Sequence, residues 1–224
     1  MAIVLDVTPI GAVSSYTDLV EELRDLQDNA AYDVDVIARA IRKAEAFFLR
    51  RLRVADMEVS TTLAVSGDTV ALPTDCREIR SVVWFFNGYE YPLDNMSLSG
   101  MVGAYGTTTA ANGGYIARPV AYAREGNNLR FAPATSGTLR LVYYADITPL
   151  TDAFPTNWLL QAAPDLYIAG AQYYLCRRER DDTGAQMALA EANAILDAMQ
   201  TQAAFKAGGN MIPQGITQVG RIRA

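Results

Sequence analysis

The side chains able to do chemistry in this chain are carboxylates, tyrosines, arginines and two cysteines, because histidine is absent altogether. Without imidazole there is no Ser-His-Asp or Cys-His nucleophile, no ordinary zinc ligand set and no proton shuttle titrating near neutrality. The nearest thing to an acid/base pair is Glu21-Glu22. Neighbours on a helix point about 100° apart and do not readily share one substrate, so the pair reads as a solvated helix face. Asp146, Asp152 and Asp165 are scattered; Asp152 and Asp165 stand where helix caps are expected, and Asp181-Asp182 ahead of Thr183 is a helix-start signal. Cys76 and Cys176 match no metal or redox spacing and read as reduced structural thiols. Tyr89, Tyr91, Tyr143, Tyr144, Tyr173 and Tyr174 fall at strand and helix positions that suit a core or an interface. There is no phosphate loop, dinucleotide fingerprint or metal-ligand cluster in the sequence. No cofactor, metal or catalytic residue is therefore expected, and an enzyme here would have to be a carboxylate-pair hydrolase.

The elements that would position these residues come from a chain of 224 residues, half of them hydrophobic, with a net charge of −6. That length allows one large domain or two small ones, with a substantial core. An acidic chain is poorly suited to gripping nucleic-acid backbone, which takes many Lys/Arg–phosphate contacts; it can still surround DNA. The opening MAIVLDVTPIGAV has no basic stretch before its apolar run and meets Asp6 and Pro9 too early for a signal peptide. No apolar run approaches the ~20 residues of a membrane span. Synthesis in the cytosol, without a membrane partner, is the expectation.

Ser14-Ser15, with Asp18 following, caps a helix expected from Tyr16 to Gln27, with Leu19, Leu23 and Leu26 inward and Asp18, Glu21, Glu22, Asp25 and Asp28 outward. Asp33 caps a second helix in which Val34, Ile37, Ile41, Ala44, Phe48 and Leu52 recur at spacings of three and four. Its other side carries Arg39, Arg42, Lys43, Arg50, Arg51 and Arg53. These cations complement the helix dipole, and Arg39, Arg42 and Lys43 are candidates to meet an acidic partner such as Glu21 and Glu22 of a neighbouring copy. From Met57 to Ile147 the period changes to two. Strands are expected over 58–63, 69–72, 78–86, 89–91, 115–124, 129–132 and 138–146, with an Asn87-Gly88 hairpin turn. Residues 96–105 are ambiguous, with one helical turn as an option, and Thr107–Gly114 reads as a loop. With no helix-sized crossover in view, the strands suggest an antiparallel meander.

After Pro149 the helical period returns. Thr156 is the expected cap of a short helix; Pro164 suits the first turn of the next, after a bend at Ala162-Ala163. In that helix Leu166, Tyr167, Gly170, Ala171, Tyr174 and Leu175 face inward, and Gly170 and Ala171 allow close approach. A last helix runs from Thr183 to Phe205 with Met187, Ala190, Ala194, Ile195, Ala198 and Met199 inward. The class is α+β: a bundle of about four helices from both chain ends, with an inserted antiparallel β-domain and an extended C-terminal arm. The divisions are 1–55, 56–150, 151–205 and 206–224. The arm has no acid and carries Met211, Ile212, Ile216 and Val219 as apolar anchors with Arg221 and Arg223 as charges.

The order of blocks AEAFFLRRLRVADME, LPTDCREIRSVVW, YPLD, LRFAPA, LRLVYYADITPLTD and PTNWLLQAAPDLYIAGA resembles the head-to-tail adaptor proteins of tailed, short-tailed phages, over about Tyr16 to Phe205. The most specific stretch is Asn157–Leu160 with Ala163–Tyr167. The resemblance implies a structural virion protein at the portal-tail junction. It implies a homo-oligomeric, dodecameric ring under the portal protein that extends the DNA channel without sequence-specific binding. Such a ring helps retain the genome and carries the tail, nozzle or tail-tube protein. It also implies that the C-terminal arm reaches the portal. Two alternatives stand beside it: a tail-associated cell-wall-binding or peptidoglycan-active protein using the tyrosine-rich β-region, and a different tail ring component.

Overall fold

The structure, a computed structural model, describes residues 13–26, 33–105 and 118–207. It is α+β, and its contacts divide the described residues into two compact units. One holds those up to Ala55 together with those from Pro149 onward; the other is Asp56–Thr148.

In the helical unit, α1 (Tyr16–Leu26) opens with a reciprocal cap. Ser15 Oγ accepts from the Asp18 N–H at 3.2 Å while Asp18 Oδ2 accepts from the Ser15 N–H at 3.0 Å. Tyr16, Leu19, Val20 and Leu23 are buried, whereas Leu26 is 47 % exposed. The inward stripe thus runs through the first two turns and leaves the terminal leucine out, a correction to the expected Leu19-Leu23-Leu26 face; Gln27 and Asp28 lie outside the described residues. α2 (Val34–Arg51) is capped by Asp33, whose carboxylate accepts from the Asp35 N–H. Ile37, Ile41, Ala44, Phe48 and Leu52 are buried as spaced, but Val34, in the first turn, is exposed.

α4 (Trp158–Ala162) is capped by Asn157 and not by Thr156: Asn157 Oδ1 accepts from the Leu160 N–H at 2.8 Å. Asparagine wins because its amide has a second use, donating to the Tyr167 hydroxyl, so the buried group is satisfied at both ends. The chain bends at Ala163, and Pro164 is the first residue of α5 (Pro164–Glu179). There the missing N–H would have had no intrahelical partner, so proline costs nothing.

α5 packs on both α2 and α6. The α2 contact is close because Gly170 has no side chain: a Cβ there would land in the Phe48 ring and against Ala44. Phe48 and Tyr167 meet edge-on at 5.5 Å beside it. α6 (Asp182–Ala207) starts where Asp181 Oδ1 accepts from the Gly184 N–H at 3.0 Å. Its buried stripe is Ala185, Ala188, Ala192 and Leu196. The expected inward set is corrected: Met187 is 70 % exposed, Ala190, Ala194 and Ala198 are exposed, and Ile195 and Met199 are only half-buried. An alanine-rich helix is apolar on more than one face, and the face with the smallest side chains is the one that fits close against α5.

The β unit contains β1 (Glu58–Val65), β2 (Thr69–Ala71), β3 (Cys76–Phe86), β4 (Tyr89–Pro92), β5 (Asp94–Asn95), α3 (Leu98–Tyr105), β6 (Ala121–Glu125), β7 (Asn128–Ala132) and β8 (Gly137–Ala145). They form two four-stranded sheets, ordered β1-β8-β3-β4 and β2-β7-β6-β5. This corrects the meander. β8 inserts between β1 and β3, since its Leu139, Leu141 and Tyr143 are buried and it can be paired on both edges. β5 pairs with β6 in parallel, which is possible because the connection between them is long and contains α3, a helix where the sequence was ambiguous. Asn87 and Gly88 take the left-handed φ values (51° and 80°) of the β3–β4 hairpin turn. Trp84, Leu129, Phe131, Leu139 and Leu141 centre one apolar cluster, and Gly137 makes room for it: an added Cβ would stand 2.5 Å from the Trp84 ring. Thr107–Gly114 and the start of the strand expected over 115–124 lie outside the described residues.

Two substitutions check this account by denaturant melts. Gly170→Ala should destabilise by about 1–3 kcal/mol through overpacking of Phe48. Pro164→Ala, at a helix start, should change stability by no more than ~1 kcal/mol.

Candidate functional site

The residues singled out in the sequence do not converge on one reaction centre. Glu21 and Asp25 are exposed on α1, with Glu22 half-buried beside them; Arg39, Arg42 and Lys43 are exposed on α2. Among the described residues no ion pair joins the two sets. Nor do the three cations act as one cluster. The Arg42 charge acts on Tyr16 and on Glu45, whereas Lys43 Nζ lies 5.8 Å from the centre of the Tyr174 ring. Asp146 is held by Arg77 at 2.8 Å. Cys76 and Cys176 are both buried and form no disulfide among the described residues, and burial pushes the Cys76 thiol up from its ordinary value. Among the described residues no group of His, Cys, Asp or Glu could hold a metal ion, and no helix is long and apolar enough to cross a membrane.

The tyrosines are mostly engaged. Tyr143 is buried and donates to Asp75 Oδ1 at 3.1 Å; burial, then this bond, push its hydroxyl up to about 12. Tyr144 accepts from Arg80 at 2.6 Å, and the Arg118 guanidinium lies 3.9 Å over the Tyr91 ring. Tyr89, 68 % exposed beside the hairpin turn, stands free of such contacts.

Two arrangements escaped the sequence reading. The first is the buried carboxylate of Glu45, which is 5 % exposed. Glu45 Oε1 accepts from the Leu150 N–H at 2.8 Å and from the Tyr167 hydroxyl at 3.2 Å. Asn157 Nδ2 donates to the same hydroxyl at 2.8 Å. Burial raises the Glu45 carboxyl above the ordinary range, and the Leu150 N–H, Tyr167 and Arg42 offset part of that rise. A signal was present: Glu45 lies four residues after Ile41 and three before Phe48, on the apolar stripe itself.

The second is an open cleft between α2 and α5, lined by Lys43, Tyr174, Arg177 and Arg178. Tyr173 and Tyr174 meet edge-on at 4.8 Å. Arg177 lies 5.7 Å from the Tyr173 ring centre and donates to its hydroxyl at 3.2 Å. Burial pushes the Tyr174 hydroxyl up, against the charges of Arg50 and Arg177. The site is thus cationic and aromatic, with no carboxylate in ion-pair range among the described residues. Its charge and its rings suit an anionic partner.

The chain belongs to the SU10 adaptor protein family, whose model matches residues 14–213. It is thus a structural adaptor of a phage particle, involved in tail assembly. No curated protein matches the chain.

Glu45 gives a measurable check. Glu45→Ala leaves the Leu150 N–H and Tyr167 hydroxyl unpaired and should cost about 1–3 kcal/mol. Glu45→Gln keeps an acceptor and removes the buried charge. Because the folded carboxyl is raised, its contribution is fully present below the unfolded value and is lost as pH rises through the folded one. The stability of Glu45→Gln relative to wild type should therefore increase across that window. Parallel urea melts between acid and neutral pH read both effects.

Proposed function

We propose that this chain is the subunit of a head-to-tail adaptor ring at the portal-tail junction. In this reading a dodecamer of copies docks under the portal, extends the DNA channel, helps retain the packaged genome and presents the platform for the nozzle or tail-tube protein. The family match over residues 14–213 carries the reading. Residues 1–55 and 151–205 are then the two parts of a bundle built from both chain ends, 56–150 the inserted β-domain and 206–224 an arm. The subunits are made in the host cytoplasm and end in the virion. A net charge of −6 supports a channel through which DNA slides without being held. The open acidic and basic faces support side-to-side association, with Glu21 and Glu22 on one side and Arg39, Arg42 and Lys43 on the other.

Copies of like net charge repel, so assembly is expected to need a template. The purified chain should be mainly monomeric at micromolar concentration and form rings when the portal protein of the same virion is added, as read by light scattering. Electron microscopy of particles should place the ring between portal and tail; density anywhere else removes this reading.

The arm supplies the portal contact. Met211, Ile212, Ile216 and Val219, with Arg221 and Arg223, lie outside the described residues, beyond the end of α6. Deleting residues 207–224 should leave the melting temperature unchanged and abolish or severely weaken portal attachment, with heads that lose DNA. Ile212→Asp with Ile216→Asp should reproduce much of the defect, and Arg221→Gln with Arg223→Gln should mainly alter its salt dependence. Truncated protein that still decorates portals at wild-type occupancy would move the contact to the folded helices.

A further inference from the structure

The geometry points to the cleft of Lys43, Tyr173, Tyr174, Arg177 and Arg178 as the socket for the acidic face of α1 on a second copy of this chain. This rests on the ring reading above and specifies its lateral contact. Each subunit carries both halves of the match, and among the described residues no ion pair engages either half. On α1, Glu21 and Asp25 are exposed one turn apart with Glu22 between them, and Arg24 is the one basic residue of the helix. Across the cleft, the Lys43 ammonium faces the Tyr174 ring at 5.8 Å, and Arg177 lies 5.7 Å from the Tyr173 ring centre. Arg178 is exposed beside them. Arg51, a few residues away on α2, shows the contrasting case. It is consumed inside the subunit by Asn193 and by Asp197 at 3.3 Å, while its backbone carbonyl accepts from Gln200.

A patch that meets a different patch on the next copy is a heterologous contact, and such contacts close into rings when the rotation permits. The cleft suits a carboxylate-bearing helix. Its tyrosine rings already hold Lys43 and Arg177 in place, so little side-chain freedom remains to be lost on docking. Individually exposed ion pairs contribute little, so the match sets orientation and excludes wrong partners more than it supplies affinity. Duplex DNA is the competing anion, but it has no counterpart to the separate acidic face that every copy presents.

The chain contains only two lysines, Lys43 and Lys206, which makes a direct test possible. Carbodiimide joins a carboxylate to an amine only when the two are in contact. Equal amounts of unlabelled and 15N-labelled full-length protein are assembled on the same virion's portal protein, treated with carbodiimide and digested for mass spectrometry. Mixed-isotope peptides linking Lys43 to Glu21, Glu22 or Asp25 are expected. Raising salt from about 0.05 to 0.5 M, which shortens the screening length severalfold, should lower their yield. Arg177→Glu with Arg178→Glu, and separately Glu21→Arg with Asp25→Arg, should each cut ring formation at least ~10-fold, and an equimolar mixture of the two variants should recover it. Circular dichroism melts confirm that each variant folds. Rings that form with these links absent, or with same-isotope links only, overturn the socket and leave the ring reading standing. DNA binding lost with the cleft variant and indifferent to the α1 variant overturns it in favour of DNA. No self-association with or without portal overturns both the ring reading and the socket.

Discussion

The helical unit depends on one buried carboxylate. Glu45 stands in the apolar stripe of α2, and there it holds the backbone of Leu150 and the hydroxyl of Tyr167. Tyr167 in turn receives the Asn157 amide, whose oxygen caps α4. Segments from both ends of the chain are therefore tied by directional bonds through one atom pair. Apolar contact alone is permissive about rotation and sliding; a buried acceptor is not, since any displacement leaves polar groups without water or partners. The close approach at Gly170 and the edge-on Phe48–Tyr167 contact lie in the same α2–α5 seam, where bonds and packing hold a single register.

Charge is handled differently in the two units. In the β unit, Arg80 pairs with Glu58, Arg140 with Glu90, Arg77 with Asp146 and Arg130 with Glu125. Arg130 meets Glu125 on the adjacent strand and Arg77 meets Asp146 just past the end of one, while Arg80 and Arg140 reach over an intervening strand, so each of these charges has a counter-ion within the unit. In the helical unit the acidic side of α1 and the basic cleft of α2 and α5 stay unpaired among the described residues. Exposed charge of both signs, kept apart on one chain, suits a protein that works through partners, consistent with an adaptor family. Arginine in this chain has no single role: Arg51 ties α6 to α2, while Arg177 is laid against a tyrosine and left open to solvent.

Much of the fold was legible in the sequence because its signals are local. The Ser15–Asp18 cap, the Asp33 cap, the Asn87-Gly88 turn and Pro164 at a helix start each involve residues within a few positions of one another. The phage-adaptor resemblance likewise rested on short blocks, and the family match bears it out. Of the candidate interaction residues, Lys43 lines the cleft while Arg39 and Arg42, exposed on the same helix, do not. A helix pattern places a residue on a face but not against a particular neighbour.

Taken alone, the sequence determined where most of the helices and longer strands lie, how α1, α2 and α5 begin, and that histidine chemistry is excluded. Tertiary structure decided which of two apolar faces α6 buries, because that choice depends on how closely α5 can approach small side chains. It decided that β8 lies between β1 and β3 and that β5 runs parallel to β6, since strand alternation specifies a buried face and not a partner. It also decided the fate of Glu45, which reads as one more helical charge until Leu150, 105 residues away, donates to it. Bonds across such separations leave no local trace, and only the packed chain brings their two ends together.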